Sequence, residues 1–92
     1  MRIDANTSLD TLLEVAKTVV NELDPSDGEF LVKDLFKGVD WNRIPKGNRT
    51  KLGMYFLNYV SNAGADTIEK LGKTPQNQQK YRIKGGLENG SN

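Results

Sequence analysis

Lys46, Asn48, Arg49 and Lys51 crowd one short stretch of the chain with no acid among them, and Lys73, Gln76, Asn77, Gln78, Lys80 and Arg82 crowd a second. The chemistry open to both groups is recognition of a polyanion. Lysine and arginine neutralise phosphates. Arginine can also grip guanine through two hydrogen bonds, asparagine can read adenine, and side-chain amides both donate and accept. The same residue types suit a solvated helix end and a polar loop that prevents edge pairing. What separates the two cases is whether the fold brings both groups onto one face.

The charge is divided along the chain. Residues 1–40 carry four Lys or Arg against nine Asp or Glu, whereas residues 41–84 carry nine against two. A formal net charge of +1 conceals that division. A positive end of this kind attracts nucleic acid if its cations share a surface. Glu14, Glu22, Asp24, Asp27 and Glu29 are expected in solvent, where an acidic back surface disfavours DNA binding in the wrong orientation.

Other chemistries are poorly supplied. The 92 residues include no cysteine and no histidine, so disulfides, zinc-thiolate sites and a cysteine nucleophile are excluded and the commonest general base is missing. No glycine-rich phosphate loop or paired-ligand motif occurs. Neither an enzyme nor a cofactor or metal is expected. No apolar run approaches the roughly 20 residues needed to cross a bilayer, and the start Met1-Arg2-Ile3-Asp4 lacks the apolar core of a signal peptide. A soluble, cytoplasmic protein without a membrane partner is expected.

Periodicity predicts the elements that would position the two clusters. Leu9, Leu12, Leu13, Ala16, Val19, Val20 and Leu23 recur at steps of three and four, which predicts a helix over 9–23, capped by Thr7 or Ser8 and ended by Asp24-Pro25. Residues 29–32 read as an edge strand. Residues 33–36, or slightly beyond, read as a compact helix with Leu35 and Phe36 inward, closed by Gly38. Trp41 and Ile44 should anchor the connection to Pro45, which introduces a helix over 46–62 with Leu52, Tyr55, Phe56, Tyr59 and Val60 packed. Gly53 suggests close packing against a neighbouring element. Residues 67–73 and 80–84 predict a hairpin around a polar turn at 74–79, with Tyr81 open between packing and base stacking. Residues 1–7 are expected as an N-terminal arm, 8–84 as one domain and 85–92 as a mobile tail.

The order of helix, short strand, two helices and hairpin predicts an α+β, winged helix-turn-helix-like fold. There the later helix of the pair enters the major groove and the hairpin wing lies along phosphates. The connection over 37–45 is longer than the three or four residues of the simplest version.

The chain also resembles a family of small, uncharacterised bacterial and phage proteins grouped as a domain of unknown function. The resemblance rests on Phe30, the run Val32-Lys33-Asp34-Leu35-Phe36, Trp41, Gly47, Arg49, Leu52, Gly53, Phe56, Gly72, Lys73, Asn77, Tyr81 and Arg82. It spans about 29–84 and implies the winged fold without implying an activity.

These features point to a small non-enzymatic DNA-binding protein, such as a phage or bacterial transcriptional regulator. It would contact double-stranded DNA through Lys46, Asn48, Arg49, Lys51, Lys73, Gln76, Asn77, Lys80 and Arg82. The alternative is a protein-interaction adaptor, for example a phage-encoded modulator of a host nucleic-acid enzyme built on the same fold. Specific operators usually pair two half-sites, so a homodimer through the broad apolar stripe of the first helix is a further expectation.

Overall fold

A computed structural model describes residues 2–85. Apart from Gly85, the tail expected over 85–92 lies outside the described residues. In chain order the elements are α1 (Leu9–Val20), a 3-10 turn (Pro25–Asp27), a second 3-10 turn (Val32–Leu35), α2 (Gly38–Arg43), α3 (Lys46–Ser61), β1 (Ile68–Lys73) and β2 (Gln79–Ile83). Among the described residues the fold is α+β, with three helices and a two-stranded antiparallel hairpin.

α1 begins where the Ser8 hydroxyl accepts the Thr11 N–H at 3.1 Å, with Asp10 complementing the positive end of the helix dipole. It buries Leu12, Ala16 and Val20, and its half-buried Leu9, Leu13, Val15 and Val19 pack on the same core together with Leu23 beyond it. The helix ends earlier than its apolar stripe. The N–H groups of Glu22 and Leu23 reach back three residues, to the carbonyls of Val19 and Val20. Asp24 then organises the first 3-10 turn: its N–H donates to the Asp27 carboxylate at 2.8 Å, and its own carboxylate accepts the Ser26 N–H at 2.9 Å. Hydrogen bonds from the Ser26 hydroxyl and N–H hold the Asp24 carboxyl below its ordinary range. Ile3, in the expected N-terminal arm, is part of the core.

The expected strand at 29–32 contracts to a single bridge. Phe30 exchanges both backbone hydrogen bonds with Tyr81, at 2.8 and 2.9 Å. Pairing stops there because the Asp34 carboxylate takes the next N–H, that of Leu31, at 2.8 Å, and folds the chain into the second 3-10 turn. That turn replaces the compact helix expected over 33–36. Gly38 opens a helix where closure was expected. Among the described residues only Gly28 and Asn77 have positive φ, so Gly38 is not the left-handed stop that a glycine after a helix often is. The connection expected over 37–45 therefore contains α2 and leaves only Ile44 and Pro45 between the helices.

α3 buries Leu52, Phe56 and Val60 at steps of four, packs against α1 and β1, and keeps Tyr59 half-buried. Tyr55, expected to pack, is 43% exposed because it lies off that row. Gly53 has no close neighbour: a Cβ there would meet nothing within 4 Å. In the hairpin, Ile68 opposes Ile83 and Lys70 opposes Tyr81, and the register shifts between Lys70 and Lys73. The Gln79 side-chain amide fills this bulge by donating to the carbonyls of Leu71, Gly72 and Lys80. At the tip the Asn77 N–H donates to the Thr74 carbonyl at 2.8 Å, and Asn77 takes φ 68°, a conformation asparagine tolerates better than most residues.

Tyr81 is fully buried. Its ring meets Phe56 edge-on at 5.0 Å and lies 5.9 Å from Phe30, so it packs in the core and offers no platform for a base.

Candidate functional site

The start and middle of α3 and the tip of the hairpin face each other across a groove of about 510 Å³. Lys46, Arg49, Thr50, Gly53, Met54 and Leu57 form the helix wall, and Lys73, Asn77, Gln78 and Gln79 form the hairpin wall. Leu31, Val32, Trp41 and Tyr81 line it as well, and Lys33 adds a fourth cation from the second 3-10 turn. No acid lines the groove. Its electrostatic character follows from sequence, because residues 41–65 contain no Asp or Glu at all.

The two clusters therefore converge in part. Lys46, Arg49, Lys73 and Asn77 share the groove, while Asn48, Lys51, Gln76, Lys80 and Arg82 are outside its lining. Lys51 and Gln76 are exposed and Asn48 is half-buried. Lys80 pairs with Glu29 at 3.6 Å and Arg82 with Glu69 at 2.8 Å. The hydrogen bond and charge of Glu69 raise the Arg82 pKa further. Across these two pairs, part of the positive charge of β2 is answered within the protein. Lys33, Lys46 and Lys73 have no acidic partner within 4.0 Å among the described residues.

Arg49 has a second task. Its Nε donates to the Ile44 carbonyl at 2.9 Å and its Nη2 to the Asn42 carbonyl at 3.4 Å, while the guanidinium lies over the Trp41 ring at 5.7 Å. These carbonyls belong to the C-terminal end of α2, where unsatisfied acceptors and the negative end of the dipole favour a cation. Arg49 thus ties α3 to α2 and still presents its charge at the groove wall. At the other end of that turn Pro45 precedes α3 and provides no side-chain cap, so the first N–H groups of α3 have no side-chain acceptor.

Lys33 is the groove cation that sequence reasoning missed. It lies in the acidic half of the chain, and the Phe30–Tyr81 bridge helps carry its segment to the hairpin. Met54 was also missed, since at 65% exposure it departs from the helical core pattern.

The floor holds one further polar group. Tyr81 is buried, yet its hydroxyl bonds to no protein group among the described residues. Among those residues, no side-chain polar atom sealed from solvent lacks a partner. Burial pushes the Tyr81 pKa up to about 12.

Among the described residues no group of His, Cys, Asp or Glu could hold a metal ion, and no helix is long and apolar enough to cross a membrane. The molecule so defined is a small α+β domain with a cationic groove between a helix and a hairpin. The chain belongs to the family described as a domain of unknown function (DUF1413), whose model matches residues 16–82. No curated protein and no solved structure matches it.

Proposed function

We propose that the chain is a double-stranded DNA-binding domain of winged helix-turn-helix type, with α2 and α3 as the helix pair and β1–β2 as the wing. The observation that carries the reading is the acid-free groove in which Lys33, Lys46, Arg49 and Lys73 come together from three separate elements. The short Ile44-Pro45 turn and the Phe30 bridge onto β2 also suit such an architecture. A phosphodiester strand entering the groove meets cations on both walls and the uncapped N-terminus of α3. A regulator reading specific operators would pair two such domains. The α1 stripe is engaged with the core, and the large apolar residues left exposed among those described are Val39, Met54 and Tyr55.

The test is fluorescence anisotropy with a labelled duplex at two salt concentrations. Affinity should fall steeply with salt as phosphates exchange counterions for lysines. Absence of binding at low salt by folded protein refutes the proposal. A protein partner is the second reading, favoured by exposed Met54 on the groove wall and by exposed Tyr55, its neighbour in α3. It gains the upper hand if alanine at these two positions abolishes activity in cells while alanine at Lys46 and Lys73 does not.

A further inference from the structure

Cations draw a duplex toward α3, but they neutralise every phosphate alike and read no base. Sequence is read on base edges, by forked donors and amides that hydrogen-bond there or by apolar groups that pack on a thymine methyl. The face of α3 that lines the groove is poor in the first kind. Arg49 already donates through Nε and Nη2 to the Ile44 and Asn42 carbonyls, and Asn48 is half-buried and outside the lining. The Thr50 hydroxyl turns back to the Lys46 carbonyl at 3.4 Å. Continuing the same row, four residues beyond Thr50, comes Met54. At 65% exposure it is the most exposed large apolar side chain among the described residues. Beside it Gly53 leaves open space on the groove wall. Neither the core nor the cationic walls account for an apolar group in this place.

We propose that Met54 reads thymine: its side chain packs on the C5-methyl group that an A·T pair presents in the major groove, and Gly53 leaves room for the base edge. The inference rests on the DNA reading above and names the base feature that the groove selects. Lys46 and Lys73 supply charge for the backbone, while the thioether makes a contact that uracil cannot return. Methionine suits the task because its unbranched, flexible stem adapts to the shape of its partner.

Fluorescence anisotropy compares two alternating duplexes, one of A·T pairs and one in which deoxyuridine replaces every thymidine. The exchange removes the methyl group and retains base pairing. The parent protein should bind the thymine duplex about fourfold more tightly for each methyl contacted, the scale of burying one such group. Met54→Ala should bind both duplexes equally. Met54→Leu, which keeps an apolar side chain, should retain the preference, and Met54→Gln, similar in length but polar, should lose it. Salt dependence should be the same in every variant, since none alters charge. An exposed position tolerates these substitutions, and circular dichroism verifies that each variant is folded.

The outcomes separate. Equal binding of the two duplexes by the parent protein overturns the thymine contact and leaves DNA binding standing. A preference that survives in Met54→Ala and Met54→Gln arises from duplex shape and overturns Met54 as the reader. Absence of binding to either duplex at low salt overturns the DNA reading and the thymine contact with it.

Discussion

The Arg49 guanidinium lies over the Trp41 ring, 5.7 Å from its centre, and so joins the second turn of α3 to α2. The same group closes the end of α2 through hydrogen bonds to Ile44 and Asn42. One side chain thereby links two helices and adds charge to the groove wall. Helix geometry and ligand contact are not independent at this position.

Arg49→Lys should lower stability to urea by about 1 kcal/mol while preserving the charge, because an ammonium cannot keep the planar stack and the forked hydrogen bonds together. Trp41→Leu should lose part of the same energy, and the double variant should lose less than the two single losses added. Strict additivity would show that the two residues do not act as one unit.

Tyr81 makes stability depend on pH at the alkaline end. Its pKa is raised from 10.0 to about 12 in the folded protein. The unfolded chain therefore releases this proton first, so the stabilisation is present below about pH 10 and is lost as pH rises toward 12. The slope attributable to this group is at most about 1.4 kcal/mol per pH unit. Subtracting urea titrations of Tyr81→Phe from those of the parent isolates it from lysine titration. Parallel curves for the two proteins through that window would contradict the assignment.

Gly53 lines the groove with open space where a side chain would begin. Gly53→Ala should raise stability by up to about 1 kcal/mol through helix propensity. Gly53→Gln should fold normally yet weaken duplex binding several-fold by filling the groove. Thermal melts and anisotropy on the same samples read the two effects apart.

Gly64 is the opposite case. A Cβ there would stand 2.9 Å from Tyr59 Cε2. The Tyr59 ring, which would have to shift, packs 5.9 Å from Phe56 and 4.9 Å from the Lys17 ammonium. Gly64→Ala should therefore cost about 1–2 kcal/mol, read as a lower urea midpoint.

Lys46→Ala and Lys73→Ala should each reduce the salt exponent of duplex binding by about 0.9. Lys80→Ala and Arg82→Ala should change it less, because Glu29 and Glu69 already occupy those cations. Equal effects at all four would mean that the groove is not the contact surface.

α1, α3 and the hairpin were readable from the chain because each repeats its buried residues often enough for a period to show. α2 was not: Gly38–Arg43 is too short for a period, buries no residue fully, and begins on a glycine that invites the reading of a stop. Phe30 was visible as strand-like, but the Asp34 carboxylate that ends its pairing acts through a tertiary-like turn no propensity contains. Of the cations, Lys46 and Lys73 could be placed by cluster alone. Arg49 could not be given its role at α2, since that depends on the unseen helix, and Lys33 sits among acids.

The reciprocal bonds between Phe30 and Tyr81 close a loop that encloses α2, α3 and β1. Such a closure gains nothing until the enclosed elements have assembled, and its entropy cost must be met first. The amides of Phe30 and Tyr81 therefore act as clocks for the finished domain. In pulse-labelled refolding they should gain protection after those of α3, and the groove, which takes Lys33 from the segment that this bridge docks, should be completed at the same late stage.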